Sequence, residues 1–138
     1  MQFLDTNVLI YALDEPHISQ KSVVARDIID RSDWGLSVQV LQEFYTQATR
    51  LTRDDHLTDV SALSLVEHYA RRPVQTLTPE IVRAAIATHQ RYQISYWDAA
   101  IIEAARTLGC HTVLSEDLHS GQDFGGIRVV NPFTPSNH

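Results

Sequence analysis

The sequence is nearly without cysteine and lysine. Cys110 is the only cysteine, which excludes an internal disulfide and any Cys-x-x-Cys zinc site and leaves it as a small packing residue. Ten of the eleven basic residues are Arg, and Lys21 is the sole lysine. No apolar run approaches the roughly 20 residues that a membrane-spanning helix needs. The opening "MQFLDTNVLI" carries an acid at position 5 and has neither the basic region nor the apolar core of a secretory signal, so the expected location is cytoplasmic. Low-complexity tracts and internal repeats are absent. The formal charge of −6 lacks the basic footprint of a duplex-groove reader, but it is compatible with an enzyme whose acids are matched by bound metal.

What is present reads as one globular domain. The 138 residues, 43% hydrophobic and 20% charged, are enough to bury a core, with 131–138 as a polar, proline-punctuated tail. The apolar stretches "QFL", "WGLS", "PVQTL", "HTVL" and "IRVV" read as strands. Between them, "TNVLIYAL", "HISQKSVVARDIIDRS", "VQVLQEFYTQATR", "DVSALSLVEHYAR", "TPEIVRAAIATHQRY" and a segment from Tyr96 to Gly109 read as helices. Ser37 and Thr78 are N-cap candidates, with Pro79 at a first helical position and Gly109 at a C-cap. Leu63, Val66 and Ala70 mark a helical stripe. Short apolar strands separated by helices predict an α/β fold, a parallel sheet of about five strands covered on both faces.

In such sheets ligands bind beyond the carboxyl ends of the strands, and four acids fall there. Asp5 follows the first strand and Asp117 follows "HTVL" by two residues. Asp98 shares the stripe of Ile101, Ile102 and Ala105, a poor place for an unpaired carboxylate. Each acid also has a plainer reading: Asp5 as a helix cap, Asp98 in the capping box Ser95-x-x-Asp98, and Asp117 as a turn residue beside Glu116. Glu43 lies two turns into the helix after "WGLS", and a face of Leu41, Phe44, Tyr45 and Ala48 would leave it solvated. Converging carboxylates raise one another's pKa or bind a divalent cation, and hard oxygen donors without Cys or paired His select Mg²⁺ or Mn²⁺.

"FLDTNVLIYA", "VLQEFY", "ISYWDAAIIEAA" and "LSEDLHSG", followed by "IRVVNPF", resemble the successive motifs of a PIN domain, and in particular of a VapC-type toxin of a bacterial toxin–antitoxin pair. The resemblance spans essentially the whole chain. It implies a Mg²⁺- or Mn²⁺-dependent endoribonuclease with Asp5, Glu43, Asp98 and Asp117 as catalytic and metal-binding acids, leaving 5′-phosphate and 3′-hydroxyl ends. It favours a functional Glu43 where periodicity does not. Asn7 and Ser115 match supporting polar positions, and Glu116 could replace Asp117 as a ligand. Bound metal would polarise the phosphate and activate a water, with Asp98 as a candidate for orienting that water. The resemblance further implies an RNA substrate, an antitoxin of the VapB type covering the acidic groove, and a homodimer.

Setting the four acids aside leaves a charge of only −2, with Arg50, Arg53, Arg71 and Arg72 near helix ends as solvated residues or phosphate contacts. Trp97 reads as core or interface, or as a base-stacking residue. The His residues form no ligand pair, and His119 reads as exposed loop near the site. A haloacid-dehalogenase-like phosphatase and a response-regulator receiver share the acidic pocket but require a lysine late in the chain. A PIN-like scaffold that binds RNA or protein without cutting is the remaining alternative.

Overall fold

The computed structural model describes residues 1–15 and 19–134. Five short strands, β1 (Gln2–Leu4), β2 (Trp34–Ser37), β3 (Val74–Gln75), β4 (Thr112–Leu114) and β5 (Arg128–Val130), form a wholly parallel sheet in the order β3-β2-β1-β4-β5. Phe3, Leu36, Val113 and Val129 in these strands are completely buried, as expected of a sheet covered on both faces. The helices are α1 (Thr6–Tyr11), α2 (Gln20–Asp30), α3 (Val38–Ala48), α4 (Asp59–Tyr69), α5 (Pro79–Tyr92) and α6 (Tyr96–Leu108). From β1 through β3 the strands are added in one direction, and the connection from β3 to β4 then passes back beyond β1. Right-handed crossovers therefore place α1–α4 on one face and α5 and α6 on the other. The contacts agree: α1 packs on α2 and α3, α3 on α4, and α5 on α6.

Local signals set most of these boundaries. Ser37, Thr78 and Ser95 cap α3, α5 and α6 with side-chain oxygens that accept backbone N–H bonds, and Pro79 opens α5. Gly109 ends α6 at φ 90°, a left-handed conformation that a Cβ would disfavour. The second helix begins at Gln20 behind the cap Ser19, and the beginning of its predicted span falls partly outside the described residues. Cys110 is buried, as a packing residue should be. The predicted polar tail starts with an anchor, because Phe133 packs on the core and meets Tyr11 edge-on at 4.9 Å. Residues 135–138 of that tail lie outside the described residues.

Two helices bury faces other than those expected. In α3 the fully buried residues are Val40, Phe44 and Ala48, while Tyr45 is exposed and Leu41 half-buried. The inner stripe is thus rotated, and Glu43, three residues after Val40, lies on its flank rather than opposite it. Glu43 is half-buried. In α4 the buried residues are Ala62 and Tyr69, and Leu63 and Ala70 are exposed. Tyr69 stacks edge-on against Phe44 and Trp34, which fixes the rotation of α4.

The central helix α6 is enclosed on nearly all sides. Every residue from Ala99 to Ala105 is buried, including Glu103, since α6 packs on β2, β3 and β4 and is covered by α5. Ala at four of these positions permits close approach. Glu103 accepts hydrogen bonds from Arg106 (3.0 Å) and Thr88 (2.8 Å), and Arg106 also donates to the carbonyls of Phe124 (2.6 Å) and Gly125 (2.7 Å). The burial of this charge is compensated on the spot.

Gly35 in β2 shows how closely α6 lies on the sheet. A Cβ there would meet Leu108 Cδ2 at 2.7 Å and the Pro73 carbonyl oxygen at 3.0 Å. Gly35→Ala is expected to destabilise the protein by about 1–3 kcal/mol through overpacking, as measured by chemical denaturation. Unchanged stability would show that α6 is not packed this tightly on β2.

Candidate active site

The sheet order has one topological switch, between β1 and β4, whose outgoing connections run to opposite faces. Such a point opens a crevice beyond the strand ends. Asp5 and Ser115 directly follow the two strands there, and the Asp5 N–H donates to the Leu114 carbonyl at 3.0 Å. Asp5 is also the N-cap of α1, so its plainer reading holds as well. Its carboxylate, buried at 7% exposure, accepts from the Thr6 N–H (2.8 Å) and from the Ser115 hydroxyl (2.7 Å).

Hydrogen bonds lead outward from this pair. Asn7 Nδ2 donates to Ser115 Oγ (3.1 Å) and to Asp117 Oδ2 (3.2 Å), and Asn7 Oδ1 accepts from the Glu116 N–H (3.1 Å). On the other side the Thr6 hydroxyl donates to Glu43 Oε2 at 2.9 Å. Gln39, one turn before Glu43 on α3, donates to Glu43 Oε1 (2.8 Å) and to the Trp97 carbonyl (3.3 Å). That last contact reaches the first turn of α6, where Asp98 lies half-buried and its N–H donates to Ser95 Oγ at 3.0 Å. One continuous set of contacts therefore runs from Asp117 through Asn7, Ser115, Asp5, Thr6, Glu43 and Gln39 to the turn bearing Asp98.

The charges of these groups act on one another. Burial, reinforced by repulsion from Glu43 and Asp117, pushes the Asp5 carboxyl up to about 6 against the opposing bonds from Ser115 and Thr6. Asp98 is raised mainly by burial and further by Asp117 and Glu43, with Ser95 and His119 opposing. The four acids predicted from sequence thus face one edge of the sheet, together with Asn7 and Ser115. Glu116 does not join them. It receives Lys21 Nζ at 2.7 Å and the Tyr11 hydroxyl at 2.6 Å, and these partners hold its carboxyl below the usual range. Trp97 is 66% exposed and so is not core. Arg53 is paired with Asp14, and Arg72 lies over the Trp34 ring.

Sequence reasoning missed Thr6, Gln39, Tyr11 and Lys21. The spacing of Gln39 and Glu43 along one helix face was a usable signal; the partners of Tyr11 and Lys21 lie about a hundred residues away and left none. Among the described residues, no three His, Cys, Asp or Glu side chains are arranged to hold a metal ion as they stand. The Asp5 and Glu43 oxygens are engaged by donors from Thr6, Ser115 and Gln39 instead. What fits a hard divalent cation is the chemistry of the set: carboxylate oxygens only, one of them buried with its carboxyl pushed up by that burial. Among the described residues no helix is long and apolar enough to cross a membrane.

Comparison with known proteins bears on the same region. No curated protein matches the sequence. Solved structures of similar fold include a toxin–antitoxin complex from Klebsiella pneumoniae (18% identity, 96% of this chain and 98% of that one, TM-score 0.70). FitAcB from Neisseria gonorrhoeae is another (21% identity, 96% and 99%, TM-score 0.67). VapC20 of Mycobacterium tuberculosis, described as a toxin cleaving the sarcin–ricin loop, is similar over 85% of this chain and 90% of its own (20% identity, TM-score 0.60). The sequence itself matches the PIN domain family over residues 3–120, a span that holds all four acids and both strands of the switch point, and the chain belongs to that family.

Proposed function

We propose that this chain is an endoribonuclease that hydrolyses RNA phosphodiester bonds with Mg²⁺ or Mn²⁺ at Asp5, Glu43, Asp98 and Asp117, as the toxin of a VapC-type toxin–antitoxin pair. The observation that carries this reading is the hydrogen-bonded run that joins Asp5, Glu43 and Asp117 at the switch point and ends on the first turn of α6, which bears Asp98. The Klebsiella complex and VapC20 support the toxin role, and VapC20 the RNA substrate.

Such a cation, when bound, supplies positive charge to the phosphate and the attacking water. The chain's own residues supply positioning. Ser115 and the Thr6 N–H fix both Asp5 oxygens, Thr6 and Gln39 fix Glu43, and Asn7 steers the more exposed Asp117. Asp98, whose carboxyl is held above its usual range chiefly by burial, would orient the attacking water through its carboxylate oxygen. The unpaired negative charge also suits a basic segment of a VapB-type antitoxin. A homodimer and a cytoplasmic location complete the proposal.

The direct test is cleavage of cellular RNA, with sequencing of new 5′-phosphate ends. Cutting is expected with Mn²⁺, none with EDTA, and a loss of at least about 100-fold in Asp5→Asn. Cutting that persists in EDTA or in the variant refutes the assignment.

A second expectation concerns stability without metal. The Asp5 carboxyl titrates near 3.8 when unfolded and at about 6 when folded. Between these values the folded state retains a proton that the unfolded state has lost, so stability falls as pH rises through the window. The cost above it is on the order of 3 kcal/mol. Asp5→Asn is accordingly expected to melt higher than the native protein at neutral pH in EDTA, and an equal or lower Tm would contradict the buried-charge account.

A third concerns binding. Because a proton competes for Asp5, calorimetric Mn²⁺ affinity is expected to weaken about ten-fold per pH unit below about 6. Affinity that is flat with pH would remove Asp5 from the ligand set.

A further inference from the structure

We infer that Lys21, through Glu116, is a positioning residue that locks the loop carrying Ser115 and Asp117 and so fixes Asp117 within the acid cluster. The inference rests on the metal-dependent reading above for its functional meaning, and on geometry alone for the lock.

Glu116 lies between the two residues that matter. Ser115 bonds Asp5 and Asp117 bonds Asn7, while the Glu116 side chain is taken up by two helices that belong to neither strand. Its Oε2 accepts from Lys21 Nζ (2.7 Å) on α2, and its Oε1 from the Tyr11 hydroxyl (2.6 Å) at the end of α1. Lys21 Nζ also lies 3.4 Å from the Tyr11 hydroxyl and 5.0 Å from the centre of its ring. With the Glu116 N–H on Asn7, three contacts from α1 and α2 hold this single loop residue.

The position of Lys21 is costly by itself. It occupies the first turn of α2, where the helix dipole opposes a cation. The ammonium is a compact donor that can meet a carboxylate, a hydroxyl and a ring face together, which a planar guanidinium cannot do in the same space. The pair is part-exposed, at 42% for Lys21 and 24% for Glu116, so Coulomb attraction alone is weak. Its consequence comes from what it holds still.

A bland alternative is that Lys21 merely neutralises a spare acid beside the cluster. The two accounts give opposite signs. Removing a cation near the acids should tighten metal binding if charge alone matters, and removing Glu116 should loosen it. If the pair is a lock, both changes loosen it.

The experiment uses the full chain with Lys21→Met, Glu116→Gln and the double variant. Thermal melting shows that each is folded. Calorimetry with Mn²⁺ is expected to show affinity lowered about 10- to 100-fold in each single variant, and no further loss in the double variant, because the residues act as one unit. Hydrogen exchange without metal is expected to quicken several-fold at the amides of Asp117 and Leu118 in all three. Tighter Mn²⁺ binding by Lys21→Met, or unchanged exchange at those amides, overturns the inference. If the native protein binds no Mn²⁺, the metal-dependent reading fails, and the exchange measurement alone decides whether the lock exists.

Discussion

The Ser115 hydroxyl reaches Asp5 across the junction of β1 and β4 at 2.7 Å, and the organisation of the site follows from that contact. It joins the ends of two strands that are 110 residues apart in sequence. It also requires a carboxylate to stay in a place where water is almost excluded. A buried anion with only two donors is under-compensated, and its elevated pKa is the measure of that deficit. The carboxylate sits at the end of strands that are themselves enclosed, with Phe3, Leu4, Val113 and Leu114 buried around the junction.

From this pair the site is built by short relays. Thr6 carries the connection to α3, Asn7 to the loop after β4, and Gln39 to α6. Each relay is a neutral polar side chain that donates to one carboxylate, Glu43 or Asp117, and ties it to a neighbouring element, which keeps the acids on one edge. The acids therefore repel without being forced together, consistent with the absence of a closed ligand shell among the described residues.

Much of the fold was legible because its signals are local. Ser37, Thr78 and Gly109 act as caps where sequence placed them, and Asp5 and Asp117 follow their strands as expected. The inner faces of α3 and α4 were not legible, since both helices touch two bodies. A stripe count cannot tell whether Tyr45 or Val40 turns inward in α3, where Val40 proves buried and Tyr45 exposed, and α4 is set by Tyr69 stacking on Phe44 and Trp34. Glu103 was invisible for a related reason: a charge in an alanine-rich helix reads as the solvent side, and only the cover of α5 with Arg106 makes it interior. The pairing of Lys21 with Glu116 depends on contacts 95 or more positions apart and left no trace in spacing.

The sheet ends on β3 and β5, strands of two and three residues. Borders this short present few free amide and carbonyl groups, so a foreign strand gains little by annealing to either side. Aggregation through edge pairing is thereby discouraged in a protein whose named strands are all parallel, and the helical faces are the broader surfaces it offers to another polypeptide.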